Sequence, residues 1–257
     1  MELIDTHCHL DVAEFADDYH QVRQRAAAVG VSELIVPAVD RACWPRLLEL
    51  CRLESGCHPA LGLHPLYLQH HRTEDLTELS RQIDAGAAVA VGEIGLDFWD
   101  RPIESVRRRQ FELFEAQLRV AKAAALPVLL HARKAHDQVL AVLRRLRFSH
   151  GGIVHAFSGS RQQAGCYVDL GFVIGVGGTI TYQRANRVRA VVADLPLTAL
   201  VLETDAPDIP TAAHRKERNS PEYLPEILFC LAELRSQDPA LVAETTSCNA
   251  RTLLRLT

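Results

Sequence analysis

Eight short apolar runs recur along the chain, and longer amphipathic stretches separate them. Continuous apolar runs of this length are typical of strands that are buried on both faces of a parallel sheet. The stretch 105–125 has helical spacing, with Phe111, Phe114 and Leu118 on one stripe and Pro127 just beyond it. Further helices are predicted at 137–147 and after Asp238-Pro239. The predicted strands are 3–4, 34–36, 60–63, 88–91, 127–130, 153–154, 172–174 and 200–202.

Eight alternations of strand and helix in 257 residues match the size of a (β/α)8 barrel. The alternative α/β architecture, an open doubly wound sheet, usually carries a glycine-rich turn after its first strand. Here that position reads Asp5-Thr6-His7-Cys8-His9. With 48% hydrophobic and 23% charged residues, the composition excludes disordered and collagen-like chains. We therefore predict one α/β domain over residues 1–257, a (β/α)8 TIM barrel.

The charge balance argues against a protein that coats nucleic acid through a broad basic surface. There are 28 basic and 32 acidic residues, which give a net charge of −4. The 7 cysteines are scattered without a C-x-x-C motif, so neither a zinc ribbon nor a redox motif is indicated. No signal-peptide pattern and no apolar run of about 20 residues occurs. We expect a cytoplasmic monomer that has no membrane association and no obligate protein partner.

Ionisable residues concentrate where the predicted strands end. In a barrel of this kind, functional groups lie at the C-terminal ends of the strands. Six of the eight predicted strands are followed by histidine or a carboxylate, more than chance readily places there. These residues are His7 and His9 after the first strand, His64 after the third, Glu93 after the fourth, His131 (followed by Arg133) after the fifth, His155 after the sixth, and Glu203 and Asp205 after the eighth.

The residue types in this set predict a metal centre. His7 and His9 are two apart on an extended segment, so both imidazoles point to one side and can share an ion. Glu93 is flanked by apolar residues and glycines, where a carboxylate is costly unless it is paired or bound to a cation, which favours a bridging ligand. Asp205 can bind a metal and accept a proton from the attacking water. Glu93 and Asp205 are the predicted catalytic residues, and His131 with His155 would complete a second metal position.

Five motifs contain the candidate ligands: Thr6-His7-Cys8-His9-Leu10, Gly92-Glu93-Ile94-Gly95-Leu96-Asp97, Leu130-His131-Ala132-Arg133, His155-Ala156-Phe157-Ser158-Gly159 and Glu203-Thr204-Asp205-Ala206-Pro207. In order and spacing they resemble the motifs of the TatD family of metal-dependent deoxyribonucleases, and they are most similar to its YjjV-like branch. The resemblance spans nearly the whole chain, and five motifs in order are highly specific.

The resemblance implies a two-metal phosphodiesterase of the amidohydrolase superfamily. It implies two divalent ions per chain, usually Mg²⁺ in the family. Four imidazole ligands favour Zn²⁺ or Mn²⁺ over Mg²⁺ by their chemistry, so all three metals remain open. By the resemblance, one ion would be held by His7, His9, Glu93 and Asp205, and the other by Glu93, His131 and His155.

The expected substrate is an end of single-stranded DNA or RNA, which suits both the family and the acidic net charge. His64 and Arg133 would contact phosphate oxygens, although a rim salt bridge is an equal alternative for Arg133. The polar loop 212–221 is expected to be a solvated loop, which is slightly favoured over a phosphate contact for its Arg218. Four aromatic residues near strand ends are candidates to stack on a terminal base: Tyr67, Phe98, Trp99 and Tyr182.

Two other functions compete with a nuclease. The same metal ligands would serve a hydrolase of a small amide, lactone or phosphoester. A non-catalytic metal-binding or nucleic-acid-binding scaffold is the third hypothesis. That hypothesis predicts a lost ligand or a blocked face, and the sequence shows neither.

Overall fold

Each strand of the single sheet pairs in parallel with the next strand along the chain. The computed structural model describes residues 1–256. The strands are β1 (Leu3–Asp5), β2 (Val31–Pro37), β3 (Cys57–Leu61), β4 (Ala90–Asp97), β5 (Val128–Arg133), β6 (Gly152–Val154), β7 (Phe172–Val176) and β8 (Leu200–Leu202).

A helix follows every strand and packs outside the sheet, and one further helix ends the described chain. The helices are α1 (Tyr19–Ala28), α2 (Trp44–Leu53), α3 (Thr73–Asp84), α4 (Glu104–Ala123), α5 (His136–Arg145), α6 (Arg161–Asp169), α7 (Asn186–Asp194), α8 (Leu224–Arg235) and α9 (Pro239–Leu254). The predicted helices at 105–125 and 137–147 are confirmed within two residues at each end, as α4 and α5. Within residues 1–256, no helix has both the length and the apolar character needed to cross a bilayer.

The sheet closes on itself between β8 and β1. The Thr6 amide donates a hydrogen bond to the Leu202 carbonyl over 3.0 Å, and the Asp205 amide donates to the His7 carbonyl over 2.8 Å. These bonds join the first strand to the last, just beyond their C-terminal ends. The predicted (β/α)8 TIM barrel is therefore confirmed.

The barrel interior is filled with apolar side chains. Seven strands each contribute one buried residue to a single cluster, and such a set can meet only inside the barrel. Ala250 and Leu254 on α9 join this cluster, while Ser247 donates a hydrogen bond to the Glu2 carbonyl at the start of β1. The α9 helix therefore covers the N-terminal end of the barrel, and the opposite end is left for the site. The strand residues are Ile4, Ile35, Ala60, Ala90, Leu129, Ile153 and Val201.

Two predicted strand ends are wrong. The β4 strand continues past Val91 to Asp97, so Glu93 lies inside the strand instead of after it, and β5 continues past His131 to Arg133. Gly95 has a φ of +148°, and a Cβ atom there would lie 1.9 Å from the His131 carbonyl oxygen. Gly95 therefore lets β5 approach β4 closely.

Candidate active site

The six predicted metal ligands come together at the C-terminal end of the barrel. Glu93 and His131 project from β4 and β5, and the other four lie one to four residues beyond β1, β6 and β8. Within each of three overlapping groups, the donor atoms lie no more than 4.8 Å apart. The groups are His7, Glu93 and His155; His7, His9 and Asp205; and His64, Glu93 and His131.

Glu93 is the carboxylate that the two sides of the site share. Its Oε2 lies 3.2 Å from Nε2 of His7 and 3.7 Å from Nε2 of His9. Its Oε1 lies 2.8 Å from Nδ1 of His131. Burial would raise the pKa of Glu93, but the interactions with the imidazoles of His64 and His7 and the hydrogen bond from His131 hold that pKa well below its usual value. The buried carboxylate is therefore ionised and offers one oxygen to each side.

The ring of His9 makes a hydrogen bond on the side that faces away from the candidate ligands. This bond determines whether Nε2, on the opposite side, carries a proton or a lone pair. Nδ1 of His9 lies 3.1 Å from the Pro37 carbonyl oxygen, which can only accept. The neutral ring therefore carries its proton on Nδ1 and has a lone pair on Nε2, the atom that lies 3.3 Å from Nε2 of His7 and 3.8 Å from Oδ1 of Asp205. Converging imidazole nitrogens and carboxylate oxygens are the donor set of a divalent metal, so the residues fit an ion here.

His155 lies on the His7 side of the site. Its ring stacks on His7 with the ring centroids 3.5 Å apart, and its Nε2 lies 3.3 Å from Oδ1 of Asp205. The resemblance places His155 with His131 instead, so the structure groups the donors differently. Burial would raise the pKa of Asp205, but the interactions with the imidazoles of His155, His7 and His9 lower it. Asp205 is therefore ionised and faces the cavity.

Two carboxylates that were given no role in the sequence prediction contact the far sides of predicted ligands. Oδ2 of Asp97 lies 2.9 Å from Nε2 of His131, and Oε1 of Glu203 lies 3.1 Å from Nδ1 of His155. Carboxylates in this position orient metal-binding imidazoles and raise their basicity. Burial lowers the pKa of His131, but the hydrogen bonds to Asp97 and Glu93 outweigh it and raise that pKa to about 9. Asp97 and Glu203 each belong to one of the five motifs given above, and this is the sequence feature by which they could have been found.

His64 lies among the candidate ligands, but its ring presents an N–H group to them instead of a nitrogen lone pair. Its Nδ1 accepts a hydrogen bond from the Leu66 amide over 3.2 Å, so the proton of the neutral ring is on Nε2. Burial lowers the pKa of His64 to about 4, so the ring is neutral at pH 7. Its Nε2 lies 3.2 Å from Nδ1 of His131 and 3.4 Å from Oε1 of Glu93. An N–H group here suits an oxygen of the substrate better than a metal ion.

The two predicted arginine contacts differ in their surroundings. Arg133 is exposed at the mouth of the cavity and its guanidinium lies 4.3 Å from the centroid of the Trp99 ring. Among residues 1–256 it has no carboxylate within ion-pair distance, so the rim salt bridge is not formed. Arg218 instead donates to both carboxylate oxygens of Asp18, over 2.8 and 2.7 Å. Arg218 therefore ties the 212–221 loop to the segment before α1.

The expectation of a solvated loop at 212–221 is wrong at its C-terminal end. Asn219 is fully buried, and its side-chain amide donates hydrogen bonds to the carbonyls of Thr204 and Asp208, over 2.8 and 2.6 Å. Ser220 is also buried. Asn219 therefore holds the backbone on either side of Asp205, which composition alone did not indicate.

An open cavity of about 960 Å³ lies above the metal ligands. Of the four predicted stacking residues, only Tyr67 and Trp99 line it, with 36% and 52% of their surfaces exposed. Phe98 packs inward against Phe111, and the Tyr182 hydroxyl donates a hydrogen bond to the Pro210 carbonyl. Two aromatic rings are therefore available to a bound molecule.

The family model for TatD related DNase matches residues 4–255. The chain is 44% identical over 256 residues to an uncharacterized metal-dependent hydrolase, YjjV, of Escherichia coli, with 98% of both chains covered. It is 34% identical to the 3'-5' ssDNA/RNA exonuclease TatD of Erwinia billingiae, with 99% of both covered. The crystal structure of Escherichia coli YjjV superposes with a TM-score of 0.94 at 42% identity, covering 99% of this chain and 98% of that one. The fold, the site and these relatives agree with the predicted family: the chain belongs to the TatD family of metal-dependent hydrolases.

Proposed function

We propose that this hydrolase cleaves phosphodiester bonds at the ends of single-stranded DNA or RNA, with two divalent ions (Zn²⁺, Mg²⁺ or Mn²⁺) per chain. The observation that carries the proposal is the position of Glu93, whose two carboxylate oxygens face different histidines. A carboxylate shared in this way suits a two-metal site. The name of the Erwinia billingiae relative, a single-stranded DNA and RNA exonuclease, supports this substrate class.

We assign the residues to two proposed ion positions on the basis of their contacts. His7, His9, His155 and Asp205 would hold one ion, His131 would hold the other, and Glu93 would contact both. When bound, such ions polarise a phosphoryl oxygen and acidify a coordinated water. Asp97 and Glu203 keep the His131 and His155 rings turned toward the centre.

The chain's own groups supply the proton transfer and the positioning. Asp205 is ionised, lines the cavity and is 9% exposed, so its carboxylate can accept the proton of the attacking water. His64 offers an N–H donor, and Arg133 offers a guanidinium, toward phosphate oxygens. Together they would orient the bound strand, and the His64 donor would lie toward the ester oxygens on which charge develops.

The test uses protein depleted of metal and reconstituted separately with Zn²⁺, Mg²⁺ and Mn²⁺. End-labelled single-stranded DNA and RNA are the substrates, and a panel of lactones and amides runs in parallel. We expect release of mononucleotides that His131→Ala and Asp205→Asn each reduce by about a thousandfold or more. His150→Ala and Asp169→Asn, both outside the cavity, serve as matched controls and should retain activity.

Two outcomes would overturn the proposal. Activity that survives both His131→Ala and Asp205→Asn would show that hydrolysis does not use this centre. Turnover of a lactone or amide without shortening of DNA or RNA would assign the site to the small-molecule hydrolase instead.

A further inference from the structure

We propose that Trp99, Arg133 and Lys134 form a platform on which the single strand leaves the metal centre. One base stacks at Trp99, and the adjoining phosphate contacts the two cations. This inference rests on the proposed function, because it concerns the path of a nucleic-acid substrate. It assigns that path to the loops that follow β4 and β5.

The three side chains form one cluster at the cavity mouth. Trp99 is 52% exposed, the Arg133 guanidinium lies 4.3 Å from its ring centroid, and Nζ of Lys134 lies 5.6 Å from it. All three line the cavity that lies above the candidate ligands. An exposed ring beside two cations is the combination that binds single strands, because bases stack on the ring while the cations neutralise phosphates.

The platform is attached directly to the candidate metal centre. Oδ1 of Asp97 accepts a hydrogen bond from the Trp99 amide over 2.9 Å, while Oδ2 of the same carboxylate contacts His131. Arg133 lies two residues beyond His131 on β5, a distance of about 6.6 Å along a strand. The platform is therefore placed for the nucleotide next to the bond that is cleaved.

The charges around the cavity mouth favour binding of a nucleic acid on the side of the platform. Arg187, at the start of α7, is a further exposed cation that lines the cavity. On the side of β1 and β8 the mouth carries the exposed carboxylates of Glu14 and Asp208. Asp137, which also lines the cavity, accepts a hydrogen bond from Gln163, and Asp100, the exposed carboxylate next to Trp99, lies outside the cavity lining. A polyanion is therefore attracted to the side of the platform and repelled from the side of Glu14 and Asp208.

The main test compares a long and a short substrate. Single-stranded (dT)10 is long enough to reach the platform, whereas bis(p-nitrophenyl) phosphate is not. We expect Trp99→Ala to raise KM for (dT)10 about tenfold, because stacking contributes on the order of 1–3 kcal/mol per base. Its kcat/KM for bis(p-nitrophenyl) phosphate should be unchanged, and Trp99→Phe should recover most of the KM. Phe229→Ala removes an exposed aromatic ring outside the cavity and is the matched control.

Salt dependence tests the cations separately. Lys134→Ala should raise KM for (dT)10 and reduce the slope of log KM against log salt by about 0.7, the contribution of one contact to a single-stranded phosphate. Lys216→Ala, an exposed lysine outside the cavity, should leave both unchanged.

Intrinsic fluorescence gives a readout that does not need turnover. Trp99 is exposed and Trp44 is 3% exposed, so an oligonucleotide should quench mainly Trp99. A (dT)4 with hydrolysis-resistant phosphorothioate linkages should quench wild-type emission saturably and leave Trp99→Phe emission nearly unchanged.

The experiments distinguish a failure of the proposed function from a failure of the platform. If the wild-type protein does not shorten (dT)10, the proposed function fails. If it does, but Trp99→Ala has the wild-type KM or the phosphorothioate does not quench, the platform alone is refuted.

Discussion

Oδ2 of Asp97 lies 2.9 Å from Nε2 of His131, while Nδ1 of the same ring lies 2.8 Å from Glu93. The imidazole is therefore held between a carboxylate at the centre and a carboxylate behind it. The orientation of the His131 ring therefore depends on Asp97 as well as on a bound ion. Asp97 is buried, so solvent does not screen this interaction strongly.

Asp97→Asn should weaken metal binding without removing a ligand. The amide keeps an oxygen for the Trp99 amide but loses the charge that raises the basicity of His131. We expect the dissociation constant of the ion that His131 would hold to rise about 10- to 100-fold. This is the usual effect of losing a carboxylate that orients a metal-binding imidazole. Calorimetric titration of metal-depleted protein measures it, with Asp169→Asn as the control. An unchanged dissociation constant would show that His131 is oriented by other groups.

His64 is predicted to bind substrate and not metal. His64→Phe removes the N–H donor and keeps a ring of similar shape, so metal content should stay at the wild-type level. Activity toward DNA should fall about 10- to 100-fold, as expected for a hydrogen bond to a charged group. Metal content by atomic absorption and kcat/KM are the measurements. Loss of bound metal comparable with that of His131→Ala would make His64 a ligand instead.

The buried ring of His136 predicts acid sensitivity of the fold. Burial lowers its pKa from 6.5 to about 4. Between these values the unfolded chain binds a proton that the folded chain does not, so stability is retained above pH 6.5 and lost as the pH falls toward 4. From pH 7 to pH 5 this group should remove about 2 kcal/mol of the free energy of unfolding. Urea unfolding of the wild type and His136→Gln should show a smaller loss in the variant, and parallel pH profiles would contradict the prediction.

Asn219 should be important for stability although it is not predicted to touch substrate. Asn219→Ala leaves the Thr204 and Asp208 carbonyls without their buried donor, which costs about 2–3 kcal/mol. Chemical denaturation measures the loss. Gln162→Ala, an exposed amide on α6, should change stability by less than about 0.5 kcal/mol. A loss in Asn219→Ala no larger than in this control would show that the loop is held by other contacts.

The sequence was most informative where a ligand stands just beyond a strand. His7, His9, His155 and Asp205 could be found because the C-terminal ends of barrel strands gather at one face. Glu93 was placed correctly at the site but on the wrong element. The reason is that the apolar run used to predict this strand stops at Val91, whereas the strand continues through Gly92 and Gly95, where β5 approaches closely.

Contacts between distant parts of the chain were not predictable in the same way. The pairing of Asp97 with His131 depends on the register of β4 against β5, which no local pattern specifies. The burial of Asn219 depends on carbonyls around β8 that only the folded barrel brings near. The tautomer of His64 follows from one backbone amide, Leu66, whose direction is set by the turn after β3.

The closure of the barrel has a consequence for when the protein becomes functional. Thr6 and Leu202, 196 residues apart, are joined by hydrogen bonds beside His7 and Asp205. On the ribosome, the segment with His7 and His9 is made first, and its partners Leu202 and Asp205 are absent until β8 and the residues after it emerge. The complete set of donors therefore forms only after the last strand has been synthesised and paired. An ion that binds this set favours the closed barrel by mass action, so a nascent chain acquires its chemistry and its final stability in the same step.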